Sequence, residues 1–164
     1  MDIKEVNDEI LTPSFRLLAG GTIPRNYDTP EARVMLLAIG LQESRFLYRR
    51  QIRGPAKGWW QFESGGGVKG VLNHHASARE IERVLGKIHV AKTDVYTAIE
   101  WHDQLATVMA RLLLYTDPKP LPAVTDTEGA WALYSRAWRP GKPHPGTWSA
   151  FHKAAVDLIN SRRT

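Results

Sequence analysis

The stretch Val34-Met35-Leu36-Leu37-Ala38-Ile39-Gly40-Leu41 is apolar at every position. It is the longest such run in the chain, and it falls far short of the roughly 20 residues a membrane-spanning helix needs. Thr29, Pro30 and Glu31 precede it in the manner of a helix start with proline in the first turn, so the pattern predicts a helix over Ala32 to Phe46. A helix apolar on all its faces has no side to give to water and must have other helices packed around it. The chain has 164 residues, the size of one ordinary domain. Such a length buries about two thirds of the surface its unfolded form exposes, which is enough to enclose a central helix. The expected fold is mostly α, a single domain over residues 1–164 with this helix at its centre.

Further helices follow from spacing. Ile3, Val6 and Ile10 mark a first, weakly patterned one. Ser77 with Glu80 has the form of a capping box ahead of a short helix ending near Gly86. From about Asp94, Leu105, Val108, Met109, Leu112 and Leu113 recur at helical spacing until Pro118 stops them. Glu128 to Trp138 carries Trp131, Tyr134 and Trp138 on one face, and a last helix runs from Thr147 to about Asn160. No stretch alternates well enough for a long strand, and residues 49–73 are expected to be loop-rich, with room for a short hairpin at most. The Pro/Gly clusters at Gly20 to Pro24, Gly65 to Gly70, Pro118 to Pro122 and Pro140 to Gly146 are too short to be interdomain linkers.

Composition removes several kinds of chemistry. With no cysteine there is no disulfide framework, thiolate metal site or cysteine nucleophile. His74 and His75 are adjacent and unsuited to the i, i+4 geometry of a helical zinc site, while His89, His102, His144 and His152 are scattered, so no metal and no cofactor are expected. Gly65-Gly66-Gly67 lacks the Lys-Ser/Thr of a phosphate-cradling loop and reads as a flexible rim. No Ser-His-Asp order with an elbow motif occurs. Lys and Arg outnumber Asp and Glu by 22 to 17, a surface attracted to polyanions of any kind. Arg45, Arg49, Arg50 and Arg53 come nearest to an arginine stripe, without the pattern of a specific nucleic-acid reader. The opening MDIKEVNDEILTPSF has no apolar run of signal-peptide length, so neither a Sec signal nor a membrane span is expected.

The chemistry centres on Glu43. It shares a helical face with Leu36, Ile39, Gly40, Phe46 and Leu47, which places a carboxyl at the edge of the core. Desolvation there favours the neutral form, as a general acid requires. The competing reading is a helix-end glutamate paired with Arg45 or Arg49. Glu100 and Asp103 are expected to be solvent-facing residues around a helix start.

Three short motifs tip the balance: Glu43-Ser44-Arg45-Phe46 at the helix end, Gly58-Trp59-Trp60-Gln61 with its glutamine eighteen residues after the glutamate, and Ala132-Leu133-Tyr134-Ser135 followed by Pro140-Gly141. In this order, with a helix from Gln104 to Tyr115 before the third, they resemble the soluble lytic transglycosylases of the lysozyme-like superfamily. The resemblance covers about residues 30–150. Ser135 stands where that family usually carries asparagine, and two tryptophans replace its usual hydrophobic pair before the glutamine.

The resemblance implies a lysozyme-like fold and a peptidoglycan-cutting enzyme. Glu43 would be the single acid/base, breaking the β-1,4 bond between N-acetylmuramic acid and N-acetylglucosamine with formation of 1,6-anhydro-N-acetylmuramic acid. Ser44 and Gln61 would bind the sugar, Tyr134 would hold Glu43, and Trp59, Trp60 and Phe62 would lie at the cleft, with one of the two tryptophans as a sugar platform. Glu63 is a possible second carboxylate, which would make a hydrolytic lysozyme. A non-catalytic virion or adaptor protein on a lysozyme-like scaffold is the other alternative. Small size and wall-cutting chemistry without a signal suggest a bacteriophage protein: an endolysin held in the host cytoplasm until lysis, or a virion component meeting other virion proteins, acting on the periplasmic wall. Its partners would be glycan strands, with no specific nucleic acid.

Overall fold

The computed structural model describes residues 1–21 and 26–162, and it is mostly helical. Most of the Gly20 to Pro24 cluster lies outside the described residues. Ile3–Glu5 (α1), Val6–Leu11 and Thr12–Ala19 (α2) follow one another without a break, the middle segment wound as a π-helix. That wider turn sits just ahead of Pro13, which has no N–H to give to a helix ladder. The Thr12 N–H and hydroxyl both reach the Asn7 carbonyl, and Ser14 Oγ donates to the Ile10 carbonyl. The helical segment that carries Ile3, Val6 and Ile10 therefore runs on to Ala19.

The apolar run forms α3, Pro30–Glu43. Thr29 Oγ1 accepts from the Ala32 N–H, and Pro30 occupies the first turn. Ala32 and every residue from Val34 to Gly40 are buried, as an all-apolar helix demands. The helix stops three residues before the expected Phe46, because Arg45 and Phe46 both turn to positive φ, 56° and 53°. This turn matters for the site, since it leaves Glu43 at a helix end.

Around α3 pack α7 (Asp103–Tyr115) and, most extensively, α9 (Pro145–Asn160), with α8 (Thr127–Trp138) against α9. Helix α7 is also buried along most of its length and carries Arg111 inside. Arg111 Nε donates to the Tyr27 carbonyl at 2.9 Å, the guanidinium lies over the Tyr27 and Tyr115 rings, and burial pushes it down to about 10.

Elsewhere the elements depart from expectation in three places. The helix foreseen from Asp94 to Pro118 is broken: a 3₁₀ turn at Lys92–Asp94 and α6 (Val95–Ala98) precede α7, which starts afresh where His102 Nδ1 accepts from the Leu105 N–H. Ser77 does not cap α5 (Ala78–Ile88); its hydroxyl donates to the Val71 carbonyl, and Glu80 pairs with Arg83. That helix also runs past Gly86 to Ile88, closed by His89 in the left-handed region.

The segment over 49–73 is half loop and half helix. Bridges join Arg50 to Lys57 and Lys57 to Phe62 as a small irregular ribbon. Ser64–Val68 and α4 (Lys69–Asn73) then wind helically, with a kink at Gly66, whose φ of −100° and ψ of −106° are not helical. Glu100 and Asp103 are not the solvent-facing pair expected. Glu100 is buried and held by Arg50 and Lys57, while Asp103 takes both nitrogens of Arg49. These pairs bolt the ribbon to the start of α7. No described helix is long and apolar enough to cross a membrane.

Candidate functional site

Glu43 and Tyr134, 91 residues apart in sequence, meet at one end of a cleft of about 1400 Å³. The cleft takes its lining from the end of α3, from the stretch running from Gln61 through the glycine turn to His74, and from the end of α8 with the loop after it. The Tyr134 hydroxyl donates to Glu43 Oε1 at 2.6 Å. Burial pushes the Glu43 carboxyl from 4.5 up to about 7, against the opposing pull of the Tyr134 hydrogen bond. Burial first, and then the adjacent carboxyl, holds the phenol well above its ordinary range, so Tyr134 acts as a donor and not as a base. With Oε1 receiving the phenol, Oε2 is the oxygen left to carry the carboxyl proton.

The expected alternative, an ion pair from Arg45 or Arg49 to Glu43, is absent. Arg45 lies over the Phe151 ring at 4.8 Å, and Arg49 is taken by Asp103. Among the described residues no cation pairs with Glu43. Tyr134 is fixed from behind by its stack on Trp148, 5.1 Å between centroids and 12° from parallel, and Trp148 is itself tied to the Thr127 carbonyl.

Three residues expected at the sugar turn out to be buried in the structure. Ser44 is buried, its hydroxyl donating to the Trp59 carbonyl at 2.7 Å and the Gly40 carbonyl, and accepting from the Phe46 N–H. It fastens the turn after α3 and has nothing left for a ligand. Trp59 and Trp60 are both core residues: Trp60 is fully buried, with Nε1 on the Leu36 carbonyl, and Trp59 is wedged between Phe46 and the Arg49 guanidinium. Neither lines the cleft, so neither is a sugar platform. The preceding Gly58 has φ +72°, and a Cβ there would lie 2.6 Å from the Ile99 carbonyl, so this turn accepts only glycine.

Gln61 does reach the cleft, at φ 50°, with its Nε2 donating to the Gly58 carbonyl. Phe62 contributes an edge of its ring, packed on Trp138. Glu63 is exposed on the rim and its carboxylate bonds to nothing among the described residues. Ser135 turns into the protein, with a buried hydroxyl that has no partner.

The aromatic surface missing from Trp59 and Trp60 is supplied by Trp138. Its indole is half-buried in the cleft lining and anchored by Nε1 on the Trp60 carbonyl at 2.9 Å. It stands four residues after Tyr134, one helical turn along the same face, and that spacing was the signal for it. Asp117 also lines the cleft, but Arg136 binds it at 2.7 Å and holds its carboxyl below the usual range, which unsuits it as an acid. Lys69, Arg139 and Lys142 add three cations to a lining that is otherwise mostly neutral. His74 and His75 stack at 4.3 Å in the turn after α4, and the described residues contain no cluster fit for a metal ion.

No family model, no curated protein and no solved structure matches this chain. What the cleft does must be read from its geometry. It offers one carboxyl that is half protonated near neutral pH, a phenol that orients it, a side-chain amide, a half-buried indole and three lining cations.

Proposed function

We propose that the chain is a peptidoglycan lytic transglycosylase, cleaving the β-1,4 bond between N-acetylmuramic acid and N-acetylglucosamine. The single observation that carries this is the buried Glu43 carboxyl, raised to about 7 and oriented by Tyr134 in an extended cleft. A glycosidic oxygen leaves only if it is protonated as the bond breaks, and a carboxyl with this pKa holds a proton where an ordinary glutamate has lost it. Glu43 Oε2 donates to the leaving oxygen. The resulting carboxylate then accepts the proton of the muramic 6-hydroxyl as that oxygen closes on the anomeric carbon, giving the 1,6-anhydro sugar. The N-acetyl oxygen assists at the anomeric carbon, so a second carboxylate is not needed. In this reading Gln61 bonds the sugar or its acetamide, and Trp138 covers an apolar pyranose face. Ser44 drops out of this set.

A lysozyme-like scaffold is part of the same proposal, as is a bacteriophage origin, in which the enzyme serves as an endolysin or as a wall-cutting part of the particle. A hydrolytic reading is favoured by one observation, the unpaired Glu63 on the rim of the same cleft, which could activate water.

The deciding experiment is digestion of purified peptidoglycan followed by mass analysis of the soluble fragments. The expected products end in 1,6-anhydro-N-acetylmuramic acid, lighter by one water than reducing-end fragments. Reducing ends would make the enzyme a hydrolase and promote Glu63. An undigested wall would leave only the virion or adaptor role.

A further inference from the structure

Two neighbouring residues in the first turn of α9 reach the two halves of the Glu43–Tyr134 pair on separate helices. Thr147 Oγ1 donates to Gln42 Oε1 at 3.0 Å, and Gln42 Nε2 donates to the His144 carbonyl at 3.0 Å. The residue beside Glu43 on α3 is thereby held across the start of α9. Trp148, the next residue, is buried and packs on α8. Its Nε1 donates to the Thr127 carbonyl at 3.1 Å, its ring stacks on Tyr134, and Trp131 meets both rings, 5.3 Å from Tyr134 and 5.5 Å from Trp148. Thr127, Trp131 and Tyr134 stand at i, i+4 and i+7 on one face of α8, and Trp148 touches all three.

A tyrosine ring turns about two side-chain bonds, so where its hydroxyl ends up depends on what the ring lies against. The bond from Tyr134 to Glu43, at 2.6 Å, tolerates little rotation, because hydrogen bonds weaken steeply with angle. The ring lies on Trp148, and the tie to Thr127 keeps that indole from following it. One turn further along α9, His152 meets the Trp148 ring at 6.1 Å, with its Nδ1 3.1 Å from Thr127 Oγ1. Burial pushes this imidazole toward its neutral form against the pull of Asp126, so it adds no positive charge behind the phenol near neutral pH. Neither Trp131 nor Trp148 belongs to the cleft lining.

We propose that Trp148 is a positioning residue for the acid of the cleft: through the Tyr134 ring it fixes the hydroxyl on Glu43 Oε1, while Thr147 secures the same turn of α9 to α3. The indole touches no substrate and acts through Tyr134. The inference rests on the reading of Glu43 as the acid, but not on which bond the cleft cuts. Shortening Trp148 behind the Tyr134 ring leaves Glu43 as buried as before and frees the phenol. The hydrogen bond that opposes the effect of burial then weakens, and the carboxyl holds its proton more tightly.

The test is carbon-13 NMR titration of the Glu43 carboxyl, identified by its absence from Glu43→Gln, in variants whose folding is checked by near-ultraviolet circular dichroism. Trp148→Leu should raise the titration midpoint by about 0.5 or more, about a threefold gain in proton affinity. Trp148→Phe, which restores a flat ring without the tie to Thr127, should raise it less. Tyr134→Phe should raise it as well, and in that background either Trp148 variant should add nothing, the mark of a residue that acts through the phenol. A core residue without a positioning role would lower the melting temperature and leave the midpoint in place. An unchanged midpoint in every folded Trp148 variant would therefore overturn the inference. So would a fall toward 4.5, which would make the indole a seal against water, or an equal rise with and without the Tyr134 hydroxyl. A natural chain that leaves peptidoglycan undigested yet shows these shifts would lose the proposed reaction and keep the positioning.

Discussion

Replacing Glu43 by glutamine is expected to lower the rate of wall digestion by about a thousandfold or more, which is the upper part of the range for loss of a positioned general acid. Glutamine retains an oxygen to accept from Tyr134 and differs little in volume, so the site keeps its shape and loses only its proton. The variant must also be shown to fold, and here the carboxyl leaves a signature. Its pKa in the fold, about 7, lies above the ordinary 4.5, so the folded state binds the proton more tightly than the unfolded state does. The stabilising effect of protonated Glu43 is complete below about pH 4.5 and is lost as pH rises through 7. Above that, burying the carboxylate costs about 3 kcal/mol. Glu43→Gln should therefore melt several degrees above the natural chain at pH 8 and at about the same temperature at pH 4. A stable variant with undiminished digestion would remove Glu43 from the chemistry.

The largest effect on stability is expected at Gly40. By propensity alone, alanine in the middle of α3 should help by about 1 kcal/mol. The structure predicts the opposite, because a Cβ there would lie 2.1 Å from Phe46 Cζ and 2.3 Å from Cε1. The ring cannot swing away freely, since Trp59 and Trp60 meet it edge-to-face at 5.5 and 5.9 Å. Overpacking of this kind costs about 1–3 kcal/mol, occasionally more, and in a chain of this length each kcal/mol moves the melting temperature by roughly 2–4 °C. Gly40→Ala should melt about 5 °C lower or more by calorimetry, and Gly40→Ala with Phe46→Leu should recover much of the loss. An unchanged or higher melting temperature for the single variant would show that the Phe46 turn is not held as described.

The same contact shows where the sequence was informative and where it fell short. The all-apolar run of α3 could mean nothing but a central helix, and the face of Trp131, Tyr134 and Trp138 was plain from spacing. Glu43 at the core boundary followed from the helix pattern, while its meeting with Gln61 and Tyr134 was implied only by the resemblance of the three motifs. The end of α3 was hidden because Phe46 continues the apolar pattern while actually turning back over Gly40. Ser44 and Trp59 were misplaced for a related reason. Their types suit sugar binding, but the turn buries them, and burial by backbone folding three to fifteen residues away leaves no periodic trace. Helix α7 begins late because a histidine side chain can cap a helix, a role that propensity does not announce. The π turn before Pro13 and the helical winding of Ser64–Val68 leave no periodic apolar trace either.

The central claim is that burial beside Tyr134 keeps the Glu43 carboxyl protonated near neutral pH, and carbon-13 NMR titration of the glutamate side-chain carboxyls tests it without reference to any substrate. One resonance, missing from Glu43→Gln, should titrate at about 7. If the resonance lost in that variant titrates instead near 4.5, the ordinary value for glutamate, Glu43 is not the acid of this cleft.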